Sequence, residues 1–180
     1  MKRAKFQMIF LGCLTFLFLF SSLVTEAAVL QYDTTYPVNT RHGMLAMFKA
    51  GTEVVFRPDG SVSAGYIANS ASYVVNTKHG LWVTFKAGTY TVFGPEGNVT
   101  SGTLQPSDFP DDFINLKINT KLGWDAPFKR GTAISFRDEG CVLSGTIGRN
   151  MTFFTNPQHS QSREFSAGTV VTFRPDGSAE

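Results

Sequence analysis

The chain has 180 residues, 42% of them hydrophobic and 17 of them phenylalanine, which is enough apolar mass to build a packed core and excludes a disordered segment. Its 16 Lys+Arg and 14 Asp+Glu leave a formal net charge of +2, so there is no broad basic field of the kind that holds nucleic acid. Of two cysteines, Cys13 falls in the N-terminal segment, so no disulfide framework holds the rest together.

The N-terminus reads as an export signal. Lys2, Arg3 and Lys5 precede an apolar run from Met8 to Phe20, and Thr25 and Ala27 fit the small residues of a cleavage site. The run is short of the roughly 20 residues a spanning helix needs, and no second apolar stretch follows. The expected product is one domain, residues 28–180, without a transmembrane segment, and secreted, periplasmic or held at the cell surface. An uncleaved anchor is the competing reading. A lipoprotein signal at Gly12-Cys13 is a weaker one, because Phe10 is a poor neighbour for it. Cleavage leaves thirteen basic and thirteen acidic residues, so the basicity of the precursor belongs to its leader.

The remainder repeats. Phe48-Lys-Ala-Gly51-Thr returns as Phe85-Lys-Ala-Gly88-Thr, Phe128-Lys-Arg-Gly131-Thr and Phe165-Ser-Ala-Gly168-Thr. Asn39, Asn76, Asn119 and Asn156 keep the same spacing of 37, 43 and 37, as do Gly60, Gly97, Gly140 and Gly177. Four copies follow, approximately 34–70, 71–107, 114–150 and 151–180, with residues 28–33 completing the last. The six extra residues of the middle interval lie in an insertion, 106–113.

Within the second copy, Tyr73–Thr77, Leu81–Phe85, Thr89–Phe93 and Asn98–Leu104 read as strands. They are rich in β-branched and aromatic residues and separated by the turns Lys78-His79-Gly80, Lys86-Ala87-Gly88 and Gly94-Pro-Glu-Gly97. No apolar period of 3.6 persists after the leader. The fold class is therefore all-β, an antiparallel meander of four units of about 37 residues. On the third strand of each copy, alternation puts Thr52/Val54/Phe56, Thr89/Thr91/Phe93, Thr132/Ile134/Phe136 and Thr169/Val171/Phe173 on one face. Phe48, Phe56, Phe85, Phe93, Phe128, Phe136, Phe165 and Phe173 form the expected core. The last copy stops short of a fourth strand while Leu30 precedes Val38 as Ile67 precedes Val75, so two arrangements stand: an open array, or a propeller- or barrel-like ring closed between the ends.

At Asn76-Thr-Lys-His-Gly-Leu-Trp and Phe56-Arg-Pro-Asp-Gly-Ser-Val the chain resembles the MORN-type β-hairpin repeats, whose pattern is an aromatic, a glycine-bearing turn and a second aromatic. Asn76 is followed by Thr77 rather than glycine, and the unit is longer than a single MORN hairpin. The resemblance implies an interaction or scaffolding module without catalysis.

Residues that carry chemistry are sparse. His42, His79 and His159 have no metal-ligand spacing, and neither a metal nor a cofactor is expected. No nucleophile motif is present, so the chain is not expected to be an enzyme; a hydrolase through the insertion's Asp111 and Asp112 is the remote third reading. Asp108, Asp111 and Asp112 make the insertion a candidate binding loop against the plainer reading of a solvated one, and they lack a calcium frame. Arg41, Lys78 and Lys121 share a turn edge with the acidic turns Asp59, Glu96, Asp138/Glu139 and Asp176. Lys49, Lys86, Lys129 and Arg130 form a basic row at the opposite edge, where an anionic surface or glycan is the candidate ligand. Trp82 aligns with Leu45, Asp125 and Ser162 and is expected exposed; Trp124 aligns with Met44, Leu81 and Gln161 and is expected half-buried. Either ring could stack on a sugar or anchor an interface. Cys141 follows turn glycine Gly140 where other copies carry Ser61, Asn98 and Ser178, leaving a buried thiol and an exposed reactive one both open. The leading expectation is an exported binding or scaffold protein with an unidentified protein or glycan partner. The alternative is a lectin-like module using Trp82.

Overall fold

A computed structural model describes residues 26–76, 80–108 and 112–180. Residues 1–25, on which the expected export signal falls, the turn residues Lys78 and His79, and Asp111 lie outside the described residues. The described residues hold sixteen strands and no helix: β1 Glu26–Val29, β2 Thr34–Asn39, β3 Met44–Phe48, β4 Glu53–Phe56, β5 Val62–Tyr66, β6 Ala71–Asn76, β7 Leu81–Phe85, β8 Tyr90–Phe93, β9 Val99–Thr103, β10 Phe113–Asn119, β11 Trp124–Lys129, β12 Ala133–Phe136, β13 Val142–Thr146, β14 Met151–Phe154, β15 Ser162–Phe165 and β16 Val170–Thr172.

The strands do not form a simple meander. One eight-stranded antiparallel sheet runs β1-β4-β5-β8-β9-β12-β13-β16, and it skips four hairpins, β2-β3, β6-β7, β10-β11 and β14-β15, each a two-stranded sheet of its own. The reason is burial. A single-layer meander would leave one ring of every Phe pair in water. Folding each hairpin over the sheet puts Phe48, Phe85, Phe128 and Phe165 against Phe56, Phe93, Phe136 and Phe173 in a common interior. Seven of these eight rings are buried, and Phe56 packs partly buried at the β1 end. The two layers are joined along one edge by single bridges, Phe48 to Ile67, Phe85 to Leu104 and Phe128 to Ile147.

The array is open. β1 and β16 are the two edges of the large sheet and do not meet, so the ring closure expected as one alternative is not made. β1 nevertheless holds the register anticipated for it: Ala27 and Ala28 face Val55 and Val54 as Ala64 and Gly65 face Val92 and Thr91.

The recurrent Phe-Lys-Ala-Gly-Thr has a local cause. Gly51, Gly88 and Gly131 turn with φ of 70°, 70° and 74°. The following threonines, Thr52, Thr89 and Thr132, donate Oγ1–H to the carbonyls of Lys49, Lys86 and Lys129 at 2.6 Å. The free amide in the turn is capped by Asp33 on Ala50, by Ser70 on Ala87 and by Asn150 on Ala167. Where the chain has Phe113 in place of such a cap, the Asp112 carbonyl accepts from Arg130 N–H instead.

One core position breaks the pattern. Thr91 is fully buried where Val54, Ile134 and Val171 stand in the other sheet strands, and its Oγ1 finds no hydrogen-bond partner. A buried hydroxyl without a partner costs on the order of 1–3 kcal/mol. Thr91→Val keeps the shape and removes the hydroxyl. It is expected to stabilise the fold by about 1 kcal/mol or more in urea unfolding; a destabilisation would show that the hydroxyl is satisfied.

Candidate functional site

The hairpin layer turns one side to the core and the other outward. On the first two hairpins the outward residues are Thr35, Pro37, Leu45 and Met47, then Ser72, Trp82 and Thr84, with buried Val74 opposite Trp82; the pairs are Pro37–Leu45, Thr35–Met47, Val74–Trp82 and Ser72–Thr84. Leu45 and Trp82 are each 58% exposed and Met47 is 39% exposed. Between the two hairpins lies a cleft of about 250 Å³ whose walls include Met44, Leu45, Met47, Tyr73 and Trp82. Its lining residues carry no charged group, and Tyr73 contributes a hydroxyl whose ionisation burial pushes upward.

On the third hairpin the positions of Leu45 and Pro37 carry Asp125 and Lys117, while that of Met47 carries the buried Pro127. Lys117 Nζ and Asp125 Oδ2 pair at 2.9 Å across β10 and β11. Trp124 points toward the last hairpin, where its ring lies 5.6 Å from Phe154 and 4.8 Å from His159. That cluster borders a second cleft of about 300 Å³, lined by Ile118, Trp124, Met151 and Phe154 among others. The two tryptophans thus sit differently: Trp82 is exposed, and Trp124 is half-buried.

The basic row is dispersed. Lys49, Lys86 and Lys129 are exposed at the edge where the layers join, and the half-buried Arg130 turns its guanidinium to the Gln105 carbonyl at 3.4 Å. In the insertion, Asp108 is exposed. Asp112 has one carboxylate oxygen buried and without a hydrogen-bond partner among the described residues. The described residues contain no group of three or more His, Cys, Asp or Glu arranged to hold a metal ion. These charges do not converge with either tryptophan into one site.

The opposite edge is a lattice of turns. Asn39 Oδ1 accepts from His42 N–H at 2.9 Å, while its Nδ2 donates to the Pro95 carbonyl at 3.1 Å, 56 residues further on. Asn119 does the same with Leu122 N–H and the Pro175 carbonyl, and Asn76 Nδ2 donates to the Glu139 carbonyl. Asn39 and Asn119 therefore cap their own hairpins, and all three asparagines hold a turn of the next unit. His42 comes within 4.0 Å of Glu96 along this edge, so basic and acidic turns do neighbour one another, although exposed pairs of this kind contribute little. At Asp59 the Ser61 hydroxyl and N–H hold the carboxyl below its ordinary range. At Asp176 partial burial works in the other direction, but the Ser178 N–H and O–H, His159 and Arg174 outweigh it and the carboxyl is again lowered. These carboxylates brace their own turns, which is the plain reading of the acidic residues here.

Cys141 is buried beneath the third of these turns. Asn98, the first residue of an Asn-Val-Thr sequon, is also buried, filling the space beside Gly94 that Arg57, Arg137 and Arg174 occupy elsewhere.

Compared with protein-family models, with curated proteins and with solved structures, the chain matches none. The site therefore stands on its own geometry: an exposed tryptophan, a leucine and a methionine around an uncharged cleft. Alignment of the units already puts Leu45 at the position of Trp82, where Asp125 and Ser162 stand elsewhere, but it gave no sign of Met47, whose position carries Thr84, Pro127 and Glu164 in the other units.

Proposed function

We propose that the chain is an exported, non-catalytic array of four MORN-like hairpin units that binds and scaffolds a protein partner through the outer face of its first two hairpins. The observation that carries this reading is the uncharged cleft bounded by Leu45, Met47 and Trp82, all of them large and exposed. Monomeric soluble proteins rarely leave such side chains together in water, and a rigid aromatic beside aliphatic neighbours is the composition of an interface centre. Strand pairing fixes the backbone that carries all three, so contact need not order a loop. The polar last hairpin, with Ser162, Arg163 and Glu164 exposed, reads as a solvated end of the array.

The test is site-specific. A photo-crosslinking residue in place of Met47 is expected to give a discrete protein adduct in the producing cells, and Trp82→Asp is expected to abolish it. An adduct pattern indifferent to Trp82→Asp rejects this face.

A further inference from the structure

The outer face of the eight-stranded sheet lies on the far side of the core from the hairpin patch. Alternation and register place two rows of side chains there. One row reads Tyr66, Tyr90, Thr103, Ala133, Thr146 and Val170; the other reads Ala64, Val92, Ser101, Ser135, Ser144 and Thr172. None of these is charged, on a surface crossing six strands. Tyr66 and Tyr90 stack edge to face with centroids 5.2 Å apart and stand at one end. Beyond them the short side chains form a shallow trough of about 340 Å³ that runs from Tyr90 to Val170. Its five hydroxyls, on Ser101, Thr103, Ser135, Ser144 and Thr146, make no hydrogen bond to any described residue. At about 4.8 Å per strand, the five strands β8 to β16 give it a length of roughly 19 Å.

We propose that this trough is a second binding site, for an uncharged polysaccharide chain lying across the strands. A polyhydroxylated chain can exchange hydrogen bonds with five unengaged hydroxyls. Its apolar ring faces can rest on Ala133, Val170 and the face of Tyr90. A trough without charge gives an acidic glycan nothing to pair with, so selectivity runs toward neutral sugars. The basic row, Lys49, Lys86 and Lys129, sits at the layer junction and does not line this trough. The site is separate from Trp82, so the failure of one reading leaves the other standing.

Affinity electrophoresis of the full chain through gels containing β-glucan, xylan, mannan or an acidic polygalacturonate tests the idea. Retardation by at least one neutral polymer is expected, weakened ten-fold or more by Ser135→Lys, which sets a long cation in the trough floor. Tyr90→Ala is expected to weaken the same polymer's binding, and Trp82→Ala to leave it unchanged. Circular dichroism of each variant separates lost binding from lost fold, and Ser135→Lys, on an outward position, should keep the fold. The proposal is overturned if no neutral polymer retards the protein, if polygalacturonate is preferred, or if retardation survives Ser135→Lys or vanishes with Trp82→Ala.

Discussion

Phe128→Ala is expected to lower the unfolding free energy by about 3–5 kcal/mol. The Phe128 ring is fully buried, meets Phe173 edge to face at a centroid distance of 6.0 Å, and lies directly on Gly145. A Cβ placed on Gly145 would stand 2.7 Å from that ring, so the sheet backbone itself forms the floor of the site. Backbone held in a ladder of hydrogen bonds relaxes little, and the cavity left by alanine stays open. Phe48 on Gly65 and Phe85 on Gly102 are arranged alike. At about 2–4 °C per kcal/mol for a domain of this size, the melting temperature should fall by roughly 6–20 °C. Phe56→Ala makes the natural comparison. Phe56 is only partly buried, at the β1 end, and should cost clearly less. Equal losses in the two variants would show that burial in the shared interior is not what sets their contributions.

Gly140→Ala is the second expected large effect, and Gly60→Ala is its control. Both glycines close the same kind of turn, with φ of 78° and 81°. A side chain in that left-handed conformation costs about 1–2 kcal/mol at either position. Their surroundings differ. A Cβ on Gly60 meets nothing within 4 Å, whereas a Cβ on Gly140 would lie 2.3 Å from Asn76 Cβ and 2.8 Å from the Val75 carbonyl oxygen. Gly140 is packed beneath the preceding hairpin, and the neighbouring Glu139 carbonyl is the acceptor for Asn76. Relieving the contact must separate two units, which adds about 1–3 kcal/mol of overpacking. Denaturant titration should therefore show Gly140→Ala to be about 2–5 kcal/mol destabilising and Gly60→Ala to cost no more than about 2. Equal effects would mean that the turns, and not the contacts between units, govern stability.

Both expectations separate what one unit does from what its neighbours impose, and the same distinction divides what could be read beforehand. The strands of the second unit were legible to within a residue or two, because β-branched runs, turn glycines and period-2 alternation are local properties. Seven of the eight expected core phenylalanines were legible for the same reason, and Phe56 is only partly buried. The exposure of Trp82 could be inferred from the polar residues at its equivalent positions. Asn39, Asn76 and Asn119 showed their spacing but not their purpose, since the carbonyls they bind lie 56 or 63 residues further on. Met47 looks like a core residue in a strand until the hairpin's orientation is known.

The amino-acid order alone determined that this would be an all-β chain with glycine-closed turns and paired phenylalanines facing inward, because those features follow from each residue's own dihedral preferences and its neighbours' polarity. Tertiary structure alone decided that the hairpins leave the sheet and cover it, that the array stays open, and that an uncharged hydroxyl-lined face is left on the far side. Those outcomes depend on which strands meet across long separations in sequence, and alternation is the same whichever partner a strand takes.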